Sequence, residues 1–321
     1  MQHLPMRRAL CVGIDEYPQA PLNGCVNDAQ AMERLLGRDE DGSLNFDTML
    51  LTSDRETVTR ACLRERIKSL FADPADVALL YFSGHGTEND LGGYLVTTDA
   101  AAYDEGVWLT EVLTYANRAR HIAEIVIIVD SCHSGSLGAV PAADNTHASL
   151  REGLSILTAS RASQVSMEEG ENGVFTTLVC AALEGGAADI LGHVTVAGVY
   201  AYVDQALGAW DQRPLFKSHV ARMLSLRRAR PAVDVDILRH LPEWFAAPDA
   251  ELPLSPRHER TADPRDAEAE AVFRSLQRCN RVKLVEPVGE EDMYFAAVNG
   301  TACRLTPLGR FYWSLANDRR I

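Results

Sequence analysis

Apolar runs separated by amphipathic stretches set the first expectations. RALCVGID reads as a strand, and NDAQAMERLLG after it as a helix, with Asn27 or Asp28 as N-cap and Gly37 as its stop. DTMLLT is a second strand, TVTRACLRERIKSLF an amphipathic helix, and DVALLYFSG a third strand that runs into GHG. LTEVLTYANRAR is a helix, EIVIIVDS a fourth strand and LSILTAS a fifth. GVFTTLVCAALEG and VTVAGVYAYVDQALG read as helices, and HVARMLSL as a last strand. Nearly continuous apolar strands alternating with helices predict an α/β fold, a mostly parallel sheet covered on both faces. In such sheets reactive groups gather at the carboxyl ends of the strands.

Two strands end in chemistry. ALLYFSGHG ends in His85 and IVIIVDSC in Cys132. If the two strands are neighbours, both side chains emerge on one edge, where an imidazole can turn a thiol into a nucleophile. Glycines on both sides of His85 let a substrate approach the backbone. The alternatives are a buried, inert Cys132 and a His85 that only shapes a turn. His133 is a second imidazole, but adjacent residues on an extended chain point to opposite sides, so it reads as structural. Cys132 and His133 as metal ligands would need partners at suitable spacing, and the sequence offers none.

The sheet domain is expected over residues 1–230. Residues 231–264, rich in proline and charge, read as a partly ordered linker pinned by Trp244 and Phe245. Residues 265–321 read helix, strand, turn, strand, helix, the last starting at Thr306-Pro307. That order is similar to a small winged-helix domain. It carries no basic recognition stretch, so docking, dimerisation or regulation is expected of it rather than DNA binding.

Composition narrows the picture. The chain has 321 residues, 46% hydrophobic and 24% charged, with a formal net charge of −14. That disfavours nucleic acid and favours basic substrates. Lysine is confined to Lys68, Lys217 and Lys283 while arginine abounds, which reads as GC-rich coding and a bacterial source. No stretch approaches the roughly 18 apolar residues of a membrane helix, and no signal peptide is evident. The seven cysteines show no CxxC spacing, as expected of reduced thiols in a cytoplasmic protein.

YFSGHG followed by DSCHSG resembles the caspase-like cysteine peptidases (family C14), and especially the metacaspase and bacterial branch. So do ALCVGIDEY, LNGCVNDAQAMERLL and LTASRASQVSMEE with NGVFTTLVCAALEG. The resemblance covers residues 7–226. It implies a caspase-like three-layer sandwich and a cysteine endopeptidase with Cys132 as nucleophile and His85 as base. It further implies an oxyanion hole from the backbone N–H groups of Gly86 and Cys132. Asp28 and Asp130 match the residues that line the primary substrate pocket, with Cys25 and Ser83 beside them. Two carboxylates would hold a substrate arginine, then lysine, and reject aspartate. The alternatives are a helix cap for Asp28 and a turn residue for Asp130.

In the family the segment after the nucleophile is often where the chain nicks itself. Arg151 is the basic residue there, and Arg257, Arg260 and Arg265 come next. No cofactor is expected, and calcium stays open as an activator. Calcium activates some relatives, but MEEGEN, with Glu168, Glu169 and Glu171, reads as an acidic solvated turn. Expected partners are proteins or peptides with exposed Arg or Lys, and a regulatory protein or nucleotide signal if the chain is a bacterial defence or cell-death effector. The competing class is a non-catalytic scaffold that keeps the fold.

Overall fold

The computed structural model describes residues 6–89, 92–101, 104–131, 150–159, 168–169, 172–207, 214–260 and 263–321. The chain divides into two units. The first comprises residues 1–188 and 193–230, the second residues 189–192 and 231–321.

In the first unit the elements run β1 (Arg7–Gly13), α1 (Cys25–Gly37), β2 (Asp47–Thr52), α2 (Arg60–Leu70) and β3 (Ala75–Ser83). Next come β4 (Gly86–Asn89), β5 (Gly92–Ala101), β6 (Asp104–Trp108), α3 (Leu109–Arg118) and β7 (Ile122–Asp130). Then follow β8 (Leu154–Thr158), β9 (Glu168–Glu169), β10 (Asn172–Gly173) and α4 (Val174–Ala181), which passes into a π-helical turn. The unit closes with β11 (His193–Thr195), α5 (Val196–Leu207), β12 (Leu215–His219) and β13 (Ser225–Arg228).

Six strands form the central sheet in the order β12-β8-β7-β3-β1-β2, parallel except for β12. Side-chain alternation explains why its strands are apolar throughout. Ala9, Cys11, Leu79, Tyr81, Val126 and Ile128 pack toward one face with Ala29, Met32 and Leu36 of α1 and Phe175 and Val179 of α4. Leu10, Val12, Leu80, Phe82, Ile127 and Val129 pack toward the other with Leu63 and Ile67 of α2 and Val112 and Leu113 of α3. The result is a three-layer sandwich with helices on both faces of the sheet.

The second unit contains α6 (Val235–Arg239), α7 (Leu241–Trp244), β14 (Glu251–Pro253), α8 (Ala267–Arg281), β15 (Val285–Val288), α9 (Met293–Val298), β16 (Ala302–Leu305) and α10 (Pro307–Asn317). Its antiparallel sheet has the order β14-β16-β15. Thr306 caps α10 through Gly309 N–H at 3.1 Å.

The structure departs from the sequence reading in five places. Helix α1 starts at Cys25, so Asn27 and Asp28 lie inside its first turn and neither is the N-cap. The capping acceptor comes from the loop after β1: Asp15 takes N–H bonds from Cys25 (2.9 Å) and Val26 (3.2 Å). The stretch after His85 forms the three-stranded meander β4-β5-β6, for which no strand was expected. HVARMLSL is not one strand, since β12 ends at His219 and pairs with β8, whereas β13 starts at Ser225 and pairs with β11.

The fourth departure is the segment 231–264, which is folded rather than linker-like. It supplies β14 to the sheet and buries Val233, Leu238, Leu241, Phe245 and Leu254 in the second unit's core. Trp313 donates its indole N–H to the Phe245 carbonyl at 2.8 Å. A helix, α9, occupies the stretch between β15 and β16 that was read as a turn.

Candidate active site

The register across the sheet puts Gly13, Ser83 and Asp130 side by side at the carboxyl ends of β1, β3 and β7. The chain leaves β1 toward β2 on one side and returns to β3 on the other, so β1 and β3 flank the topological switch point. Ligands enter open α/β sheets in the crevice outside such points. Gly13 is required there because a Cβ would lie 2.2 Å from the Cys25 carbonyl oxygen at the start of α1.

His85 sits in this crevice, in the loop between β3 and β4. Its backbone N–H donates to Tyr17 Oη at 3.0 Å, and Val96 N–H donates to its carbonyl, also at 3.0 Å. Tyr17 Oη donates to the Val96 carbonyl at 3.2 Å, and its ring lies 4.6 Å from the imidazole. The imidazole Nε2 is 2.7 Å from the Ala20 carbonyl oxygen. A carbonyl only accepts, so Nε2 carries the proton and Nδ1 of the neutral ring keeps its lone pair. Tyr17 and the Ala20 carbonyl are the parts that sequence reasoning missed; the tyrosine of GIDEY was the available signal. Gly86 opens β4 opposite Leu95.

On the α1 side of the sheet the two aspartates converge. Ser83 Oγ donates to Asp28 Oδ2 at 3.1 Å, and Gly173 N–H donates to the same oxygen at 3.3 Å. Thr176 Oγ1 donates to Asp130 Oδ2 at 2.7 Å and is itself 2.5 Å from Tyr81 Oη. A Cβ on Gly173 would come within 2.8 Å of Asp130 Oδ2 and 3.3 Å of Asp28 Oδ2, so both carboxylates face one bare stretch of backbone. Asp28 Oδ1 is buried with no partner. Burial first, and then the Asp130 charge, push the Asp28 carboxyl up to about 7. Burial raises Asp130 as well, opposed by the Thr176 bonds. Cys25 is buried beside Ser83, and burial drives its thiol upward.

Cys132 and His133 lie outside the described residues, as does Glu171; the described chain runs to Ser131, which is buried, and resumes at Leu150. Arg151 stands at the opposite end of the sheet. Its backbone N–H donates to Asn117 Oδ1 (3.0 Å) and its guanidinium to the Ile122 carbonyl (2.8 Å), at the start of β7. Among the described residues no group of three or more His, Cys, Asp or Glu side chains gathers a donor set for calcium or another metal. Nor is any helix among them long and apolar enough to cross a membrane.

The family model described as the caspase domain matches residues 6–225. The chain is 29% identical over 170 residues to metacaspase-1A of Aspergillus fumigatus, covering 46% of this chain and 39% of that protein. It is 25% identical over 162 residues to metacaspase-1 of Mycosarcoma maydis, covering 46% and 40%. The chain thus spans about two fifths of the length of these curated relatives. In fold it is similar to caspase-1 of Spodoptera frugiperda, with a TM-score of 0.52 and 12% identity over 72% of this chain and 93% of that one. A Geobacter sulfurreducens protein of known crystal structure is similar too, with a TM-score of 0.51 and 18% identity over 71% and 98%. With the family model spanning most of the chain, the protein belongs to the caspase-domain family, the C14 peptidases.

Proposed function

We propose that the protein is a cysteine endopeptidase that cuts after arginine, and after lysine less well, with Cys132 as nucleophile and His85 as its base. The observation that carries this reading is the pair of buried carboxylates, Asp28 and Asp130, facing one glycine with an orphaned oxygen and no cation partner among the described residues. A guanidinium is planar, always charged and forked, and meets two carboxylates at once, which an ammonium does less completely.

The reaction is acyl transfer. The Cys132 thiol gives its proton to His85 Nδ1, and the sulfur attacks the carbonyl carbon after the basic residue. The backbone N–H groups of Gly86 and Cys132 hold the oxyanion. His85 then passes the proton to the departing amine, leaving a thioester. Water, deprotonated by the same nitrogen, releases the acid and restores the thiol. Support for Cys132 comes also from the other cysteines: burial pushes Cys11, Cys25, Cys180, Cys279 and Cys303 upward, and burial with Glu56 raises Cys62. A thiol that holds its proton is a poor nucleophile.

The test is a fluorogenic series differing only in the residue before the cut bond: Arg, Lys, Leu and Asp. Leaving a buried carboxylate unpaired costs on the order of 3–5 kcal/mol, so Leu and Asp should be slower than Arg by roughly a few hundred-fold or more. Cys132→Ala and His85→Ala should abolish turnover. Equal cleavage of all four substrates would reduce Asp28 and Asp130 to structural residues, and turnover by Cys132→Ala would end the cysteine-peptidase reading.

A further inference from the structure

Three segments of the chain meet beside the imidazole of His85, and one hydroxyl joins them. Tyr17 Oη accepts the His85 backbone N–H at 3.0 Å and donates to the Val96 carbonyl at 3.2 Å. Its proton and a lone pair are committed to two segments, β5 and the loop between β3 and β4. Burial, opposed by the bond from His85, pushes the Tyr17 hydroxyl upward, so it keeps the proton that the Val96 bond needs. The third segment is the loop between β1 and α1, which carries both Tyr17 and the Ala20 carbonyl that takes Nε2–H of His85. From Glu16 to Pro21 every residue of that loop is exposed except Tyr17, at 6%. One buried side chain therefore holds the Ala20 carbonyl against the ring.

The loop after β3 is shaped to admit this side chain. A Cβ on Gly84 would lie 2.5 Å from Tyr17 Oη, so alanine there would displace the hydroxyl. Gly84 N–H also donates to the Asp130 carbonyl at 3.2 Å, which ties the His85 loop to the end of β7, two residues before Cys132. Gly84 sets where the loop stands relative to β7, and Tyr17 sets how His85 stands within the loop.

We propose that Tyr17 is a positioning residue for His85: its hydroxyl, seated against Gly84, fixes the His85 backbone and, through the Ala20 carbonyl, keeps the proton on Nε2 so that Nδ1 is free to act as the base. The proposal rests on the peptidase reading. Misplacing a reacting group by about 1 Å costs on the order of a hundred-fold in rate, so the loss of one such hydroxyl is measurable.

Tyr17→Phe tests it, since it keeps the ring and removes the hydroxyl. On an arginine peptide kcat should fall about ten- to a hundred-fold while KM stays within about two-fold. Nitrogen NMR of the histidine rings, with His85 assigned by comparison with His85→Gln, should show the Nε2-protonated form giving way to mixed tautomers. Gly84→Ala should reproduce both effects alone and add little to Tyr17→Phe, because the new methyl then meets no oxygen. An unchanged kcat, an unchanged ring signature in Tyr17→Phe, or fully additive losses in the double variant would each overturn the assignment. If the wild-type chain cleaves no peptide, the peptidase reading falls, and the ring signature still decides whether Tyr17 holds His85.

Discussion

Asp28 and Asp130 set the behaviour of the site at the scale of single side chains. The Asp28 carboxyl ordinarily titrates near 3.8 and here near 7, so the folded chain holds a proton that the unfolded chain has already lost at neutral pH. Stability therefore falls as the pH rises from about 4 to 7 and stays reduced above that. Asp28→Asn removes the penalty and should stabilise the protein by about 2–4 kcal/mol at pH 8, with a gain that shrinks toward pH 4. Urea unfolding of both proteins across this range reads it directly. An Asn variant no more stable than wild type at pH 8 would mean that a cation already neutralises Asp28. The same variant should lose most cleavage of arginine substrates, since the guanidinium then meets one carboxylate in place of two. The convergence of these aspartates was legible in the sequence only through resemblance. The donors that hold them, Thr176 and Gly173, lie far along the chain and carry no local signal.

At the scale of elements, the strands that read correctly are those buried on both faces, such as β1, β3 and β7. The meander β4-β5-β6 escaped because glycines and polar residues interrupt it and a few anchors, Tyr94, Leu95 and Val107, carry its burial. The start of α1 was misplaced because its cap is tertiary: Asp15 reaches the first N–H groups from another loop, which a local pattern cannot reveal. The folded segment 231–264 was hidden by its prolines and charges, although Leu238, Leu241 and Phe245 recur at helical spacing. Asp15→Ala should cost about 1–2 kcal/mol, the usual loss of a helix cap. Because Asp28 lies in the turn that the cap holds, KM for arginine substrates should rise more than kcat falls. Thermal melts and steady-state kinetics on one preparation check both. Unchanged KM would separate the cap from the pocket.

Across the whole molecule, the two ends of the central sheet are far apart. The length of β7 alone is roughly 26 Å at the usual rise per residue. Arg151 is fastened at the far end, half-buried and bonded to Ile122, so a folded chain should not present it to its own active site. Arg257 and Arg260 are exposed, whereas Arg265 is paired with Glu270. Incubation should therefore give cuts after Arg257 or Arg260 before any after Arg151, at a rate that grows with protein concentration. Mass spectrometry against Cys132→Ala decides it, and a first cut at Arg151 would show that this edge opens. Under the proposed function, substrate selection and catalysis fall in separate layers of the sandwich. Asp28, Ser83, Asp130 and Thr176 belong to the α1 and α4 side, whereas Tyr17, which braces His85, belongs to the core under α2 and α3. On that reading, substitutions in the first layer redraw the substrate preference and leave the bracing of His85 as it was. The proposal thus lets appetite drift, one aspartate at a time, while the chemistry is inherited unchanged.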